Sequence, residues 1–373
     1  MDHTDPERIV PPVAPGGGGA GLRPAGADTG QAREKRYLIL AEGKSGDAHY
    51  GKTMRGVVDY SPHPTIAILD SQRVGKTHKG IPIVGTIADA LPYEPTTALV
   101  GVATQGGRFP PAWRDLLKDS IEAGLDLESG LHEFISEDAE LAALADQHGV
   151  ELRDLRKPPA DLNVPTGENL RLDAKTVLTV GSDCAIGKKT VAIELDREAQ
   201  RRGLRSQFVP TGQTGVAIAG WGIAVDAVVA DFIAGAAERL VVEGAKRGGE
   251  LLFVEGQGSL SHPAYSGVTL GLMHGSAPHA YVLCHVAGAT EIEGYPGYPL
   301  PPLREIVELH ERASLPLRPA RVAAIALNTR ALDDDEARAA TQAVAAETGL
   351  PTDDPVRFGA ATVLGAVLSV VQS

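Results

Sequence analysis

The chain has 373 residues, 43% hydrophobic and 22% charged, a balance typical of a globular enzyme with two domains. A formal net charge of −13 argues against nucleic acid as the main partner, because phosphodiester binding needs clustered cations. Two cysteines allow no disulfide framework, and without a long apolar run or a signal-peptide pattern we expect a cytoplasmic protein without membrane contact.

Residues 1–34 are rich in proline and glycine and lack the apolar pattern of a core, which predicts a disordered leader. From residue 35 to residue 157, strand-like apolar runs alternate with helical segments. This alternation predicts a parallel, doubly wound sheet in a Rossmann-like domain. The predicted strands are RYLIL, Thr65–Asp70, Thr97–Thr104, DLESGL and VELRDL, and the predicted helices are Gly85–Leu91, Ala112–Gly124 and AELAALADQHG.

Residues 158–170 are proline-rich and interrupt the alternation, which predicts a linker before a second domain at 171–373. In that domain a buried strand, Val177–Val180, leads through a turn into a helix that opens at Gly187. The predicted fold class is α/β, with two doubly wound parallel-sheet domains, Rossmann-like at the N-terminal side and P-loop NTPase-like at the C-terminal side. Further strands are predicted within SQFVPTGQTG, LLFVEGQGSL, AYVLCHVAG and RVAAIALNTR, and a final helix from about Thr362.

The glycine-punctuated turn is the segment most informative about function. Such a turn points several N–H groups and a helix N-terminus at one spot, and Lys188 adds a cation, so a phosphate-bearing ligand is predicted. The usual pattern, G-x-x-x-x-G-K-[ST], places a hydroxyl after the lysine for magnesium, whereas Lys189 has that position here. This difference weakens the expectation of ordinary magnesium-dependent hydrolysis but keeps that of phosphate binding, and the alternative is a tight strand-to-helix turn with an incidental lysine. The predicted contacts are Gly181, Ser182, Asp183, Cys184, Ala185, Ile186, Gly187, Lys188, Lys189 and Thr190.

A second candidate anion site lies in the first half of the chain. Residues 46–53, GDAHYGKT, also satisfy the phosphate-loop pattern, and another Gly-Lys-Thr run follows the next predicted strand. Both runs come at the carboxyl ends of strands, where open α/β sheets bind ligands. The sequence predicts either a mononucleotide-type crevice lined by Lys52, Thr53, Lys76 and Thr77 or two lysine-bearing surface loops.

Polar residues of the second half add candidate catalytic and substrate contacts. Thr211, Gln213 and Thr214 follow a strand, where hydroxyls and an amide can orient a carboxylate or a phosphate. Glu255 ends another strand and holds a metal or a water, or else caps its own turn. A histidine is the natural general base near neutral pH, and no metal site is predicted because the histidines lack a tight ligand spacing. The remaining candidates are Ser259, His262 and His274.

Parts of the sequence resemble three known protein families. The run KGIPIVGTIADA, with TALVGVAT and DSIEAGLDL, is similar to the CoA-binding domain of the succinyl-CoA synthetase alpha subunit. GSDCAIGKKT and FVEGQGS resemble dethiobiotin synthetase. Over residues 37–370 the chain resembles a two-domain P-loop family, formerly uncharacterised and misnamed as NAD-dependent epimerases, now described as D-glutamate N-acetyltransferases. The motifs that carry this last resemblance are LAEGKSGDAHYGKT, SGLHEF, GSDCAIGKKT, PTGQTG, VEGQGSLSHP, YPGYPLPPL and ALNT.

The family resemblance implies an N-acyltransferase that moves an acetyl group from acetyl-CoA to the amino group of an acidic amino acid such as D-glutamate. Under this hypothesis Lys188 binds a phosphate of CoA or a substrate carboxylate, and His262 or His274 takes the amine proton. The alternative is an ATP-dependent carboxylate-activating ligase or kinase, in which Thr190 and Glu255 manage magnesium. A homo-oligomer is expected in either case.

Overall fold

The computed structural model describes residues 34–47, 51–102 and 107–372, so the predicted leader lies outside the described residues except for Glu34. In this part of the chain, seven strands form the first sheet in the order β3-β4-β2-β1-β5-β6-β7. All neighbours are parallel except the hairpin of β3 with β4. The strands are β1 (Tyr37–Leu40), β2 (Thr65–Leu69), β3 (Thr77–His78), β4 (Ile81–Val84), β5 (Thr97–Val100), β6 (Asp126–Ser129) and β7 (Leu152–Asp154), and the helices are α1 (Lys52–Tyr60), α2 (Ile87–Ala90), α3 (Trp113–Glu122) and α4 (Ala139–His148).

The second sheet is parallel throughout, in the order β13-β12-β11-β8-β10-β9. No helix among the described residues is long and apolar enough to cross a membrane. The strands are β8 (Lys175–Gly181), β9 (Ser206–Val209), β10 (Leu251–Val254), β11 (Ala280–Val286), β12 (Arg321–Asn328) and β13 (Thr352–Asp353), and the helices are α5 (Lys188–Arg201), α6 (Gln213–Ala219), α7 (Ile233–Lys246), α8 (Ser266–Ser276), α9 (Leu303–Arg312), α10 (Asp334–Thr348) and α11 (Ala361–Val371).

The predicted fold class is confirmed, because both sheets are mostly parallel and helices connect their strands. A strand forms within each predicted segment, although residues 103 and 104 of the predicted strand Thr97–Thr104 lie outside the described residues. Continuous apolar runs such as YLIL in β1 are buried along their whole length. Several elements escaped prediction: α1, β3, β4, α6, α7, α9, α10 and β13. Helix α6 has no polar stripe to reveal it, since five of its seven residues are buried. Helix α10 carried a usable signal, the capping box of Asp333 with Glu336.

The two sheets meet through α1 of the first and α6 of the second. A continuous apolar cluster crosses this contact and includes Val57 of α1 and Ile218 of α6. The hydroxyl groups of Thr53 and Thr214 hydrogen bond each other across it at 3.0 Å. Helix α1 begins at the carboxyl end of β5, where the amide of Met54 donates to the carbonyl of Gly101. The contact therefore brings the carboxyl edge of the first sheet to the second domain.

A buried histidine makes the second domain sensitive to acid. His310 of α9 is fully buried; its Nδ1 lies 2.8 Å from the Ile306 carbonyl, and its Nε2 has no partner among the described residues. A carbonyl only accepts, so Nδ1 carries the proton and the ring is neutral. Burial lowers the pKa of His310 to about 4.

We predict that His310 makes the fold less stable as the pH falls from about 6.5 to about 4, since the unfolded chain protonates at a higher pH than the folded one. Replacing His310 with leucine should flatten this part of the pH dependence, by up to about 3 kcal/mol of unfolding free energy. Urea unfolding at a series of pH values measures it. His148→Leu, at an exposed position, is the matched control, and equal slopes in both variants would contradict the prediction.

Candidate functional site

The turn between β8 and α5 is pinned to its surroundings by side chains. The Ser182 hydroxyl lies 2.9 Å from Nδ1 of His285 on the neighbouring strand β11. The Ser259 hydroxyl donates to the Ser182 carbonyl at 2.9 Å, and the Asn328 amide donates to the Ile186 carbonyl at 3.1 Å. Ser259 is fully buried and supports the turn, so we no longer regard it as a substrate contact. Asn328, which ends β12, also serves as a support.

The backbone of the turn has a shape that few sequences tolerate. Ala185 has φ +56° and Gly187 has φ +116°, both in the left-handed region that disfavours side chains. Beside the turn, a Cβ added to Gly256 would lie 1.6 Å from the carbonyl oxygen of Thr179, so only glycine lets β10 end this close to β8. Strained backbone of this kind clusters at ligand-binding sites.

Lys188 lies inside the curve of the turn. Its side chain is buried, and Nζ donates to the Asp183 carbonyl at 2.6 Å. Burial lowers the pKa of Lys188, while Asp183 and Glu255 oppose that shift. The lysine predicted to meet an anion is therefore held where the backbone of the turn closes around it.

Glu255 follows β10 and is tied to the start of α6. Its Oε2 accepts the amides of Thr211 and Gly212 at 3.0 and 3.1 Å, and burial raises its pKa. The Thr211 hydroxyl donates to the Glu255 carbonyl, and the Thr214 hydroxyl is paired with Thr53. Both threonine hydroxyls are thus engaged in protein contacts, and neither remains a strong substrate-binding candidate.

Gln213 remains the accessible polar side chain of this turn. It is half-buried, and its side chain packs on Gly130, where an added Cβ would lie 2.8 Å from the Gln213 Cγ. Gly130 belongs to the SGLHEF motif of the first sheet, so this motif and PTGQTG meet at the domain contact.

His262 is oriented by its neighbours. Its Nδ1 accepts the Ala264 amide at 3.1 Å, and its ring stacks on Tyr265 at 4.7 Å with the edge of Tyr295 at 5.0 Å. An Nδ1 that accepts a hydrogen bond leaves the proton of the neutral ring on Nε2. His262 therefore presents an N–H donor, which corrects our expectation of a general base at this position.

Asp183, Cys184 and His262 bring potential metal-ligand atoms within 4.8 Å of one another in the described part of the chain. Their hydrogen bonding does not favour a metal. The Asp183 oxygens accept the amides of Cys184 and Glu293, and the Nε2 of His262 bears a proton. Burial also raises the pKa of the Cys184 thiol to about 11. We therefore assign no metal to this cluster.

Two groups of predicted site residues lie elsewhere. His274 is near the end of α8, and its Nε2 lies 3.0 Å from the Ala313 carbonyl. The segment after α8 returns to the amino end of β8, where Nδ1 of His279 accepts the Thr176 amide, whereas the turn lies at the carboxyl end. His274 is therefore not brought together with Lys188, and we drop it as a candidate base.

Lys76 and Thr77 are exposed at the edge of the first sheet, because β3 is separated from β1 by β4 and β2. The predicted four-residue crevice with Lys52 and Thr53 does not form. Lys52 instead starts α1 at an exposed position; desolvation is the main cause that lowers its pKa, while Glu293 raises that pKa and Arg330 lowers it further. Glu293 and Arg330 were missed by sequence reasoning, since no local motif marks them.

A P-loop turn on one parallel sheet, packed through α1 and α6 against a Rossmann-like sheet, defines a two-domain α/β protein of the P-loop class. The chain belongs to the DUF1611 family. Residues 163–364 match its P-loop domain and residues 69–158 match its Rossmann-like domain, each described as a domain of unknown function. The predicted two-domain P-loop family is confirmed.

Relatives cover most of the chain. The crystal structure of a DUF1611 family protein from Anabaena variabilis is 40% identical, with a TM-score of 0.85 over 90% of this chain and 99% of that one. A protein of Tritonibacter scottomollicae named D-glutamate N-acetyltransferase is 36% identical over 90% of this chain and 99% of its own length. A second protein of that name, from a Pseudoalteromonas species, is 34% identical over 75% of this chain and 83% of its own length.

The Cys184 thiol should react slowly near neutral pH, because the thiolate is the reactive form and burial holds its pKa near 11. In a Cys284→Ala background, we expect the iodoacetamide labelling rate to rise about tenfold per pH unit between about pH 7 and 10, without a plateau. A plateau near pH 8 would instead mark an activated thiolate, and Cys184 would become a candidate nucleophile.

Proposed function

We propose that this chain transfers the acetyl group of acetyl-CoA to the amino group of an acidic amino acid, with D-glutamate as the first candidate substrate. The observation that carries the proposal is the similarity to the Tritonibacter protein of that activity, at 36% identity over 90% of this chain. The site supports it with an anion-binding turn, a buried carboxylate and an N–H donor. Acetyl-CoA as donor, self-association and a cytoplasmic location belong to the same proposal.

The reaction makes three demands on the site. The amine nitrogen attacks the thioester carbonyl carbon, a C–N bond forms and the C–S bond breaks, and CoA leaves as a thiolate that takes up a proton. The enzyme must hold the donor, remove a proton from the amine and stabilise negative charge on the carbonyl oxygen.

The turn from Gly181 to Lys188 holds a phosphate group of CoA in this proposal. Backbone amides at the start of α5 and the Lys188 ammonium supply the donors, and displacement from the Asp183 carbonyl frees that ammonium for the ligand. Lys52 adds a cation from the first domain. It begins α1, the helix whose Gly56 lies beside the Lys189 ammonium, which supports a position near the turn.

Proton removal falls to Glu255. Its Oε2 is engaged by two amides, so Oε1 is the oxygen we assign to the amine proton, and the raised pKa improves a carboxylate as a base. His262 Nε2–H then donates to the carbonyl oxygen as it becomes negative. The substrate carboxylates meet the Gln213 amide and the neighbouring cations.

The proposal predicts release of free thiol from acetyl-CoA when D-glutamate is present and ATP is absent. A parallel reaction with ATP, magnesium and D-glutamate tests the ligase or kinase alternative. ADP or AMP that forms only with the amino acid, with no thiol in the first reaction, would overturn the acetyl-transfer proposal.

Two lysines within identical Gly-Lys-Thr runs provide a matched comparison. Lys52→Gln should raise the KM for acetyl-CoA about tenfold, because one charge-assisted contact to a phosphate is lost, whereas Lys76→Gln at the sheet edge should leave it unchanged. Lys188→Ala should raise the KM for acetyl-CoA more than either of these substitutions. Steady-state kinetics of thiol release measures all three, and equal KM values for the Lys52 and Lys76 variants would remove Lys52 from the site.

The role of His262 is tested by comparing a substitution that keeps an N–H donor with one that removes it. His262→Gln keeps an N–H donor near the place of Nε2 and should retain more activity than His262→Ala, whose kcat we expect to fall about 100-fold. A general base would behave differently, since glutamine cannot accept the proton. If glutamine and alanine lower kcat equally, the donor assignment is wrong.

A further inference from the structure

P-loop proteins ordinarily hold magnesium between the hydroxyl that follows the loop lysine and an acid at the end of a neighbouring strand. The corresponding positions here are Lys189 and Glu255. A lysine ammonium repels a metal ion, and Glu255 already accepts two amides through Oε2. Thr190, the nearest hydroxyl along the chain, is one residue too late. The residues present therefore do not fit a magnesium ion.

The Lys189 ammonium lies at the contact between the two domains, beside Gly56 of α1. A Cβ added to Gly56 of α1 would lie 2.5 Å from Lys189 Nζ and 2.7 Å from Thr214 Cγ2. Gly56 is buried and lies inside a helix, where glycine is unfavourable relative to alanine. The close approach of Lys189 and Thr214 explains why a larger side chain is not accommodated.

The charges around Lys189 resemble those around a bound metal ion. Glu255 and Asp59 favour its charged form and Lys52 opposes it, while Lys189 is in turn the main charged group acting on Glu255. Asp59 is exposed and forms an ion pair with Lys79 at 2.5 Å, so Glu255 is the buried acid left to balance Lys189. The geometry agrees, because Lys189 Nζ and Thr214 Cγ2 meet at Gly56, and a Cβ added to the next residue of α6, Gly215, would lie 2.2 Å from Glu255 Oε2. The Lys189 cation and the strand-end acid are thus gathered at the start of α6, with α1 of the other domain beside them.

We infer that the Lys189 ammonium is a resident cation in the place of the magnesium ion of ordinary P-loops, so that this chain binds its phosphate ligand without a divalent metal. Under the proposed function, Lys189 would neutralise the phosphate of the acetyl donor, so its role in turnover rests on that function. The binding itself can be tested without any reaction.

The test uses the full chain stripped of metals with EDTA and inorganic phosphate as the probe, measured by titration calorimetry in EDTA and in excess magnesium chloride. The wild type should bind phosphate with the same Kd, within about twofold, in both buffers. Lys189→Ser should bind about tenfold or more weakly in EDTA and recover in magnesium, because a hydroxyl now stands at the metal-ligand position. Lys189→Gln should be weak in both buffers, and Lys246→Gln, exposed at the end of α7, should match the wild type.

The inference fails if the wild type needs magnesium to bind phosphate, if it binds phosphate in neither buffer, or if the serine and glutamine variants match it. Thermal unfolding checks that each variant is folded, and the wild-type comparison decides the matter even if one is not. Thiol release in EDTA separates the two proposals. Activity that EDTA abolishes and magnesium restores would overturn the role of Lys189 and keep acetyl transfer, whereas metal-free phosphate binding without thiol release would do the reverse.

Discussion

The packing of α1 against α6 is the contact on which the site depends. Gly56 lets the two helices and the Lys189 side chain approach closely, and the Thr53–Thr214 hydrogen bond fixes polar groups inside an otherwise apolar contact. A glycine in a helix costs about 0.5–1 kcal/mol relative to alanine, which this close approach offsets. Lys52 starts the same helix, so the close approach at Gly56 also fixes where the start of α1 lies relative to the second domain. The site is therefore a property of both domains together.

The site is cationic within an acidic protein. The chain carries a net charge of −13, yet Lys188 and Lys189 follow each other at the turn, with Lys52 at an exposed position at the start of α1, and desolvation lowers the pKa of each. Bringing like charges together where solvent is partly excluded is unfavourable, and neighbouring acids such as Glu255 offset part of that cost. An anionic ligand would relieve the remaining repulsion between these lysines. The repulsion that is unfavourable in the ligand-free protein would therefore favour binding of the anion. The same low dielectric strengthens each contact to the ligand.

Local motifs predicted the fold and the main candidate anion site, because each depends on residues that are close together in sequence. The run from Gly181 to Lys188 predicted its own turn, and β10 predicted the position of Glu255. Side-chain roles depended on tertiary contacts that no local pattern encodes. The threonines of PTGQTG looked free for a ligand but bond Glu255 and Thr53. His262 and His274 are twelve residues apart, yet His262 lies beside the turn at the carboxyl end of β8, whereas His274 contacts Ala313 and precedes the segment that returns to the amino end. The position of the Lys189 side chain depends on Gly56, which lies 133 residues earlier in the chain. No local sequence pattern marks this glycine as part of the site.

These features separate holding a phosphate from transferring one. Phosphoryl transfer relies on a metal that bridges the reacting phosphate and on a strand-end acid that is free to ligate it. Here Oε2 of the acid accepts two amides at the start of α6 and a lysine occupies the position of the metal-binding hydroxyl, so the proposed anion site lacks the residues that would hold a metal for cleavage. Acyl transfer asks for a different set: an anchor for the nucleotide of the donor, a carboxylate of raised pKa and an N–H donor for the carbonyl oxygen. In the proposed reaction Lys188, Glu255 and His262 offer one each. The two amides fix Oε2 of Glu255 in a dry environment and leave Oε1 for the proton, and it is the Lys189 ammonium that disfavours a metal there.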